Sequence, residues 1–176
     1  MKKLITIFII FTPLLVMTKV LDNLADKRIE WVPFSDQVMG GISEVNFVER
    51  EENGLSHYHM EGNVSTENNG GFIQFRANVK IEDLPYKGLK IKTRGNGETY
   101  FIHIRTPQTR LPWNYYASSF TANSEWESIK VPFDSFKKSG LILPRKFKAS
   151  DIKSIGIVAF GKDFYADIDL ASIELY

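Results

Sequence analysis

Two histidines, His57 and His59, stand two residues apart in the run HYHMEGNV. On a strand that spacing places both imidazoles on one face, where they could chelate a metal or share proton-transfer work. No third histidine lies nearby and the chain has no cysteine, so the rest of a ligand set is missing. His103 stands alone in YFIHIRT. All three are read as strand-face histidines. Asp163, Asp167 and Asp169 offer the hard oxygen donors that Ca²⁺ takes. The last two alternate with Ile168 and Leu170, which is read as the solvent side of a strand. There is no G-x-S-x-G elbow, no P-loop and no G-x-G-x-x-G after a strand. The expectation is a protein without catalytic residues, cofactor or metal.

Chemistry of recognition is better represented. The stretch Pro112-Trp113-Asn114-Tyr115-Tyr116 puts three aromatics in a loop-like segment behind Pro107 and Arg110. Exposed rings of this kind stack on sugars or anchor protein partners, while a ring entering the next strand packs in the core instead. Arg94 and Arg105 flank Gly95-Asn96-Gly97, which reads as a hairpin turn and would put both arginines on one face. Arg76 joins that face by alternation with Phe72 and Gln74. The candidate binding set is therefore Arg76, Arg94, Arg105, Trp113, Tyr115 and Tyr116, a groove for a carboxylate, a sugar or a peptide. The competing reading is ordinary ion pairing of the arginines with Glu67, Glu98 or Asp36.

Two segments carry doubled glycines, SDQVMGGIS (Ser35 to Ser43) and ENNGGFIQFR (Glu67 to Arg76). A glycine pair in strand-forming sequence gives up packing and backbone entropy, so it marks a geometric need: positive φ, a bulge, or close approach of another group. Asp36, Asn68 and Asn69 beside them are read as turn chemistry. Together these segments resemble the signature of the complex I intermediate-associated protein 30 family, on Asp36, Val38, Met39, Gly40, Gly41 and Ser43, then Asn68, Asn69, Gly70, Gly71 and Phe72. RGNGETYFIHIRT, WESIKVPFDSF and IKSIGIVAF follow in the family's order, so the resemblance runs from Trp31 to Tyr176. It implies a galactose-binding-like jelly roll. It also implies a non-enzymatic role, since the best-known members are mitochondrial chaperones for assembly of the respiratory complex I membrane arm. The partner would then be a protein, such as a respiratory-complex assembly intermediate. Asn96 departs from the family's frequent Asp in Gly-Asp-Gly, which removes a charge from that motif.

The elements that must position these residues are strands. FIQFRANVKI, LKIKTR and YFIHIRT alternate with period two, and WESIKVPF, IKSIGIVAF and YADIDLASIELY complete a set punctuated by Gly and Asn clusters. No segment beyond the N-terminus shows a helical apolar period. The expectation is an all-β protein: one jelly-roll β-sandwich over 29–176, its first strand (Ile29 to Phe34) beside its last (Ile168 to Tyr176). Trp31, Trp126 and Phe133 are read as core.

Met1-Lys2-Lys3 followed by apolar Leu4 to Met17 is read as a signal peptide or membrane anchor over 1–18, shorter than the roughly 20 residues of a spanning helix. A polar tether over 19–28 follows. Export to an extracytoplasmic, periplasmic location and membrane proximity through that segment are expected. An exported carbohydrate-binding module is then the alternative to the assembly role, with a glycan as partner. The net charge of +1 and the lack of Lys/Arg runs longer than a pair exclude an electrostatic case for nucleic acid. A monomer is the default, because no coiled coil or long apolar stripe is present.

Overall fold

The computed structural model describes residues 17–26 and 29–176, so the apolar targeting segment read from Leu4 onward lies almost wholly outside the described residues. Among the described residues, twelve strands form two antiparallel six-stranded sheets. One sheet runs β3 (Asn46–Glu52), β4 (Leu55–Val64), β12 (Phe164–Leu175), β6 (Gly88–Gly95) and β9 (Glu127–Pro132), with β1 (Lys19–Asp22) also on β12. The other runs β10 (Lys137–Lys138), β8 (Tyr116–Thr121), β7 (Thr99–Arg105), β11 (Ser154–Phe160), β5 (Phe72–Asn78) and β2 (Trp31–Ser35). These are called here the β12 sheet and the β11 sheet, after their central strands. Among the described residues no helix is long and apolar enough to cross a membrane.

The alternation read in the sequence becomes the sandwich. On β5, Ile73, Phe75 and Ala77 point inward, and Phe72, Gln74 and Arg76 point outward. Ile102 and Ile104 of β7 and Ile155 and Ile157 of β11 meet Met60, Ile91, Ile168 and Ile173 from the other sheet, all fully buried. Burial of such a layer is the main favourable term in folding, at about 25 cal/mol per Å² of apolar surface.

Three expectations about the elements are corrected. The last strand does not pair with Ile29 to Phe34, because β2 pairs with β5 in the other sheet. Its terminal half pairs instead with β1, drawn from the residues read as a tether. Leu21 and Leu24 join the core there, and buried Asp22 accepts from Trp31 Nε1 (2.8 Å) and from the Tyr58 hydroxyl (2.9 Å). Gly95-Asn96-Gly97 is not a hairpin turn, since β6 and β7 lie in different sheets. The segment is a crossover between layers, held by the Asn96 and Gly97 N–H groups donating to the carbonyls of Asp167 (3.1 Å) and Ala122 (2.7 Å). Asn96 uses both ends of its amide: Oδ1 accepts from the Tyr100 hydroxyl (2.8 Å) and Nδ2 donates to Tyr165 O (2.8 Å). A carboxylate could not make the second bond, which suits asparagine to this position.

Candidate functional site

The two glycine-doubled segments are joined by one carboxylate. Asp36 is fully buried, and no cation pairs with it among the described residues. It accepts instead from the Ser43 N–H (2.9 Å) and hydroxyl (2.5 Å) and from the Gly71 (2.6 Å) and Phe72 (3.1 Å) N–H groups. Burial pushes this carboxyl up, but the bonds from Ser43, Gly71 and Phe72 outweigh it and hold the group below the usual carboxylate range. The glycines follow from the same geometry. A side chain at Gly41 would overlap the Asp36 carboxylate, and one at Gly70 would come within 2.5 Å of its Oδ2. Gly40 (φ 91°) and Gly71 (φ 121°) supply the positive φ that ends each turn. Asn68 and Asn69 adopt left-handed φ of 55° and 59°, the turn chemistry read for them. Asp36 goes beyond that reading, because it is a buried hub and not a local turn cap.

The hub sets the start of β5, and β5 carries the first candidate site residue to the outer face of the β11 sheet. Pairing aligns Val32, Arg76, Gly156, His103, Ala117 and Lys137 in one row across all six strands. A second row holds Phe34, Gln74, Val158, Phe101 and Ser119. Arg76 lays its guanidinium over the Phe34 ring at 4.8 Å. His103 stacks on Tyr115 with centroids 4.0 Å apart and planes 13° apart. Between them Gly156 presents no side chain, and the Gln74 side chain fills the space above it, its Oε1 3.0 Å from where a Cβ at Gly156 would stand, so that Gly156 and Val158 are buried beneath their neighbours. Phe101 and Phe160 extend the ring cluster beyond His103. Arg105 lies two residues further along β7 and donates through Nη2 to the carbonyls of Thr109 (2.6 Å) and Leu111 (2.9 Å). Burial lowers the His103 pKa to about 4, so this imidazole is neutral near pH 7 and stacks as an uncharged ring.

The predicted binding residues divide. Arg76, Arg105 and Tyr115 come together on this face, with Trp113 two-thirds exposed at 66% in the loop before Tyr115. Tyr116 does not: it is fully buried, and its hydroxyl donates to Pro144 O (3.0 Å). Arg94 does not either, because the crossover after β6 leaves it on the outer face of the opposite sheet. There its Nε donates to Asp169 (2.7 Å) and it pairs with Glu52 (2.5 Å), with the Trp126 ring over its guanidinium at 4.8 Å. Trp126 is thus a cover on that face and not a core residue. The same cluster buries His57 and His59, with His59 Nδ1 donating to Asp169 Oδ1 (2.7 Å) and His57 Nε2 at 3.6 Å from Asp169 Oδ2. Asp169 is therefore buried beneath its neighbours and not solvent-facing. Among the described residues no group of three or more His, Cys, Asp or Glu is arranged to hold a metal ion.

Sequence reading missed His103 as a ring of the site, and it missed Phe34, Gln74, Phe101 and Gly156. Alternation of Phe101, His103 and Arg105 was the available signal, and it could not show which strands lie beside β7. A separate open cleft of about 910 Å³, lined by Tyr86, Lys87, Phe133, Phe147 and Tyr176 among others, contains none of the candidate residues.

The sequence model of the complex I intermediate-associated protein 30 family matches residues 22–170. The chain belongs to that family. No curated protein sequence matches the chain. Among solved structures, a family 11 carbohydrate-binding module from Clostridium thermocellum, in complex with a β-1,3-1,4-mixed-linked tetrasaccharide, is similar at a TM-score of 0.71 and 16% identity, covering 90% of this chain and 94% of that one. A family 30 carbohydrate-binding module is similar at a TM-score of 0.62 and 12% identity, covering 92% and 99%. An exo-β-agarase contains a similar unit at a TM-score of 0.56 and 6% identity, covering 90% of this chain and 25% of that one. At these identities the likeness is one of fold, and it agrees with the β-sandwich jelly roll.

Proposed function

We propose that the chain is a non-catalytic binding module whose ligand is a saccharide, held on the outer face of the β11 sheet. The observation that carries this reading is the pairing of stacked rings with hydrogen-bonding side chains on one sheet face. The His103–Tyr115 stack and Phe101 stand on one side of the face, and Arg76 and Gln74, whose side chain covers Gly156, stand on the other. Sugars present apolar C–H faces and a rim of hydroxyls, which is the pattern such a surface matches. Its likeness in fold to a module solved in complex with a tetrasaccharide supports the same reading. Trp113, exposed in the loop beside Tyr115, is proposed to extend the platform. The N-terminal apolar segment is proposed to export or anchor the domain, which would place it among extracytoplasmic glycans.

A second reading, a holding factor for assembly intermediates of a respiratory membrane complex, is favoured by the family and by one surface. Val38, Met39 and Ile42 lie exposed on the loop that Asp36 anchors. Exposed apolar residues on a rigid loop suit docking to a protein.

Affinity electrophoresis of the purified chain against a panel of polysaccharides, with Tyr115→Ala beside it, tests the first reading. Retention by at least one polysaccharide, weakened about tenfold in Tyr115→Ala, is the expected result. No retention by any, together with co-purification of respiratory-complex subunits that Met39→Asp abolishes, would replace it with the second.

A further inference from the structure

Charge is segregated between the two sheets. None of the six strands of the β11 sheet contains an aspartate or a glutamate. The β12 sheet carries Asp22, Glu49, Glu51, Glu52, Glu61, Glu127, Asp167, Asp169 and Glu174 within its strands. There the arginines are matched: Arg94 holds Asp169 and Glu52, and Arg50 lies 3.9 Å from Glu61. On the β11 face Arg76 and Arg105 have no carboxylate partner among the described residues. The chain as a whole is nearly neutral at +1, so a general excess of basic residues does not explain this.

The two arginines also sit where a ligand would need them. Arg76 and Arg105 occupy strands on either side of β11, two ladders or about 10 Å apart. Arg76 and Gly156 lie in one row, and Arg105 pairs with Ser154 one row along. Arg105 is held by the loop carbonyls of Thr109 and Leu111, and Arg76 by the Phe34 ring, so both are positioned before any ligand arrives. Arg105 is also close enough to Arg76 for that charge to add to burial in lowering its pKa. Two guanidinium groups in mutual repulsion, without an anion, are an unfavourable arrangement that an anionic ligand would relieve.

We infer that the saccharide is an acidic one, its carboxylate or sulfate group bound by Arg76 and Arg105 while its ring lies against the His103–Tyr115 stack. The inference rests on the saccharide-binding reading above and narrows its ligand class. Guanidinium donates two parallel N–H bonds to a carboxylate, a geometry that a neutral hydroxyl does not reproduce.

The test is affinity electrophoresis of the full chain in gels containing one of five probes: polygalacturonate, alginate, chondroitin sulfate, fully methyl-esterified pectin, or mixed-linked β-glucan. At least one acidic probe should retain the chain about tenfold more strongly than both neutral ones. Arg76→Gln and Arg105→Gln should each remove most of that difference, and Arg145→Gln, at an exposed position outside the strands, should not. Thermal unfolding of each variant separates lost binding from lost fold. Polygalacturonate against its methyl ester isolates carboxylate recognition, and retention by chondroitin sulfate beyond that by alginate reports an added contribution of sulfate, since both polymers carry uronate carboxylates. Equal or stronger retention by the neutral probes overturns the inference and leaves the saccharide reading standing. An acidic preference that survives both arginine substitutions overturns it as well. No retention by any of the five, with the variants folded, overturns both.

Discussion

The Asp36 carboxylate occupies the space that a side chain at Gly70 would need, 34 residues further along the chain. The family signature is therefore a single packed unit: one buried anion, four neutral donors, and glycines that leave it room. Asp36→Ala strands three backbone N–H groups without an acceptor and leaves the Ser43 hydroxyl only its longer bond to Ser65 O (3.3 Å), and should lower stability by about 3 kcal/mol or more. Asp36→Asn keeps the shape but turns an amide NH₂ toward donors, for a loss of about 2 kcal/mol. Gly70→Ala should fall in the same range, because a methyl there forces the carboxylate out of its bonds. Urea unfolding checks all three. An unchanged midpoint for Gly70→Ala would mean that the carboxylate moves aside freely and is not the hub described here.

Acid stability should have two separable limbs. His103 titrates at about 4 in the fold, against about 6.5 in the unfolded chain. The unfolded state therefore binds more protons between those values, and stability falls as pH drops from about 6.5 to about 4. Asp36 has a folded pKa below its unfolded value, so its contribution is present above pH 4 and is lost as pH falls through the folded value. His103→Phe should flatten the upper limb, which is worth on the order of 2 kcal/mol once its partial exposure is allowed for, and leave the lower limb in place. Urea midpoints measured at pH 7, 5.5, 4.5 and 3 distinguish the two. An upper limb that persists in His103→Phe would assign it to another histidine.

Asp169 is the anion on which the opposite face converges. His57, His59 and Arg94 all approach its carboxylate, and Glu52 and Trp126 close over Arg94. Removing the shared partner leaves the Arg94 Nε and the His59 Nδ1–H without their buried acceptor, so Asp169→Ala should cost about 3–5 kcal/mol. Glu52→Gln removes only the half-exposed outer member and should cost less than about 1 kcal/mol. Thermal unfolding of both variants gives the ratio. Near-equal losses would show that the cluster is held from outside by the Arg94–Glu52 pair.

Alternation within single strands was legible: Phe72, Gln74 and Arg76 on one side of β5, with Ile73, Phe75 and Ala77 on the other, follow from a period of two. Which strands neighbour one another was not. Arg94 and Arg105 lie on facing sides of a short glycine segment, and a hairpin and a crossover between layers look the same at that range. The distinction depends on where β12 and β9 settle, which is a tertiary choice. The burial of His57, His59 and Asp169 was hidden for a related reason. Each sits at an outward position of its strand, and only the arrival of Arg94 and Trp126 over them excludes water. The glycine pairs did point to a close approach, yet the group approaching was the nearby Asp36 itself.

The segment read as a tether is integral to the sandwich, and this gives the last prediction. Asp22 ends β1, is buried, and accepts from Trp31 Nε1 and the Tyr58 hydroxyl. Those two rings pack on each other and on Phe75 or Phe47, so β1 closes the core from one edge of β12. Burial and the Asp22 carboxylate drive the Tyr58 hydroxyl well above its usual range, so it stays protonated and donating at any pH where the domain folds. Asp22→Ala leaves two buried donors unpaired and should cost about 2–4 kcal/mol. A chain beginning at residue 24 loses the same bonds and also the β1–β12 pairing, and should be less stable still. If processing removes the N-terminal segment, the cut must therefore fall before Lys19. N-terminal sequencing of the mature protein checks this, and a mature chain that begins after Asp22 and remains as stable as the full one would refute the role given to β1.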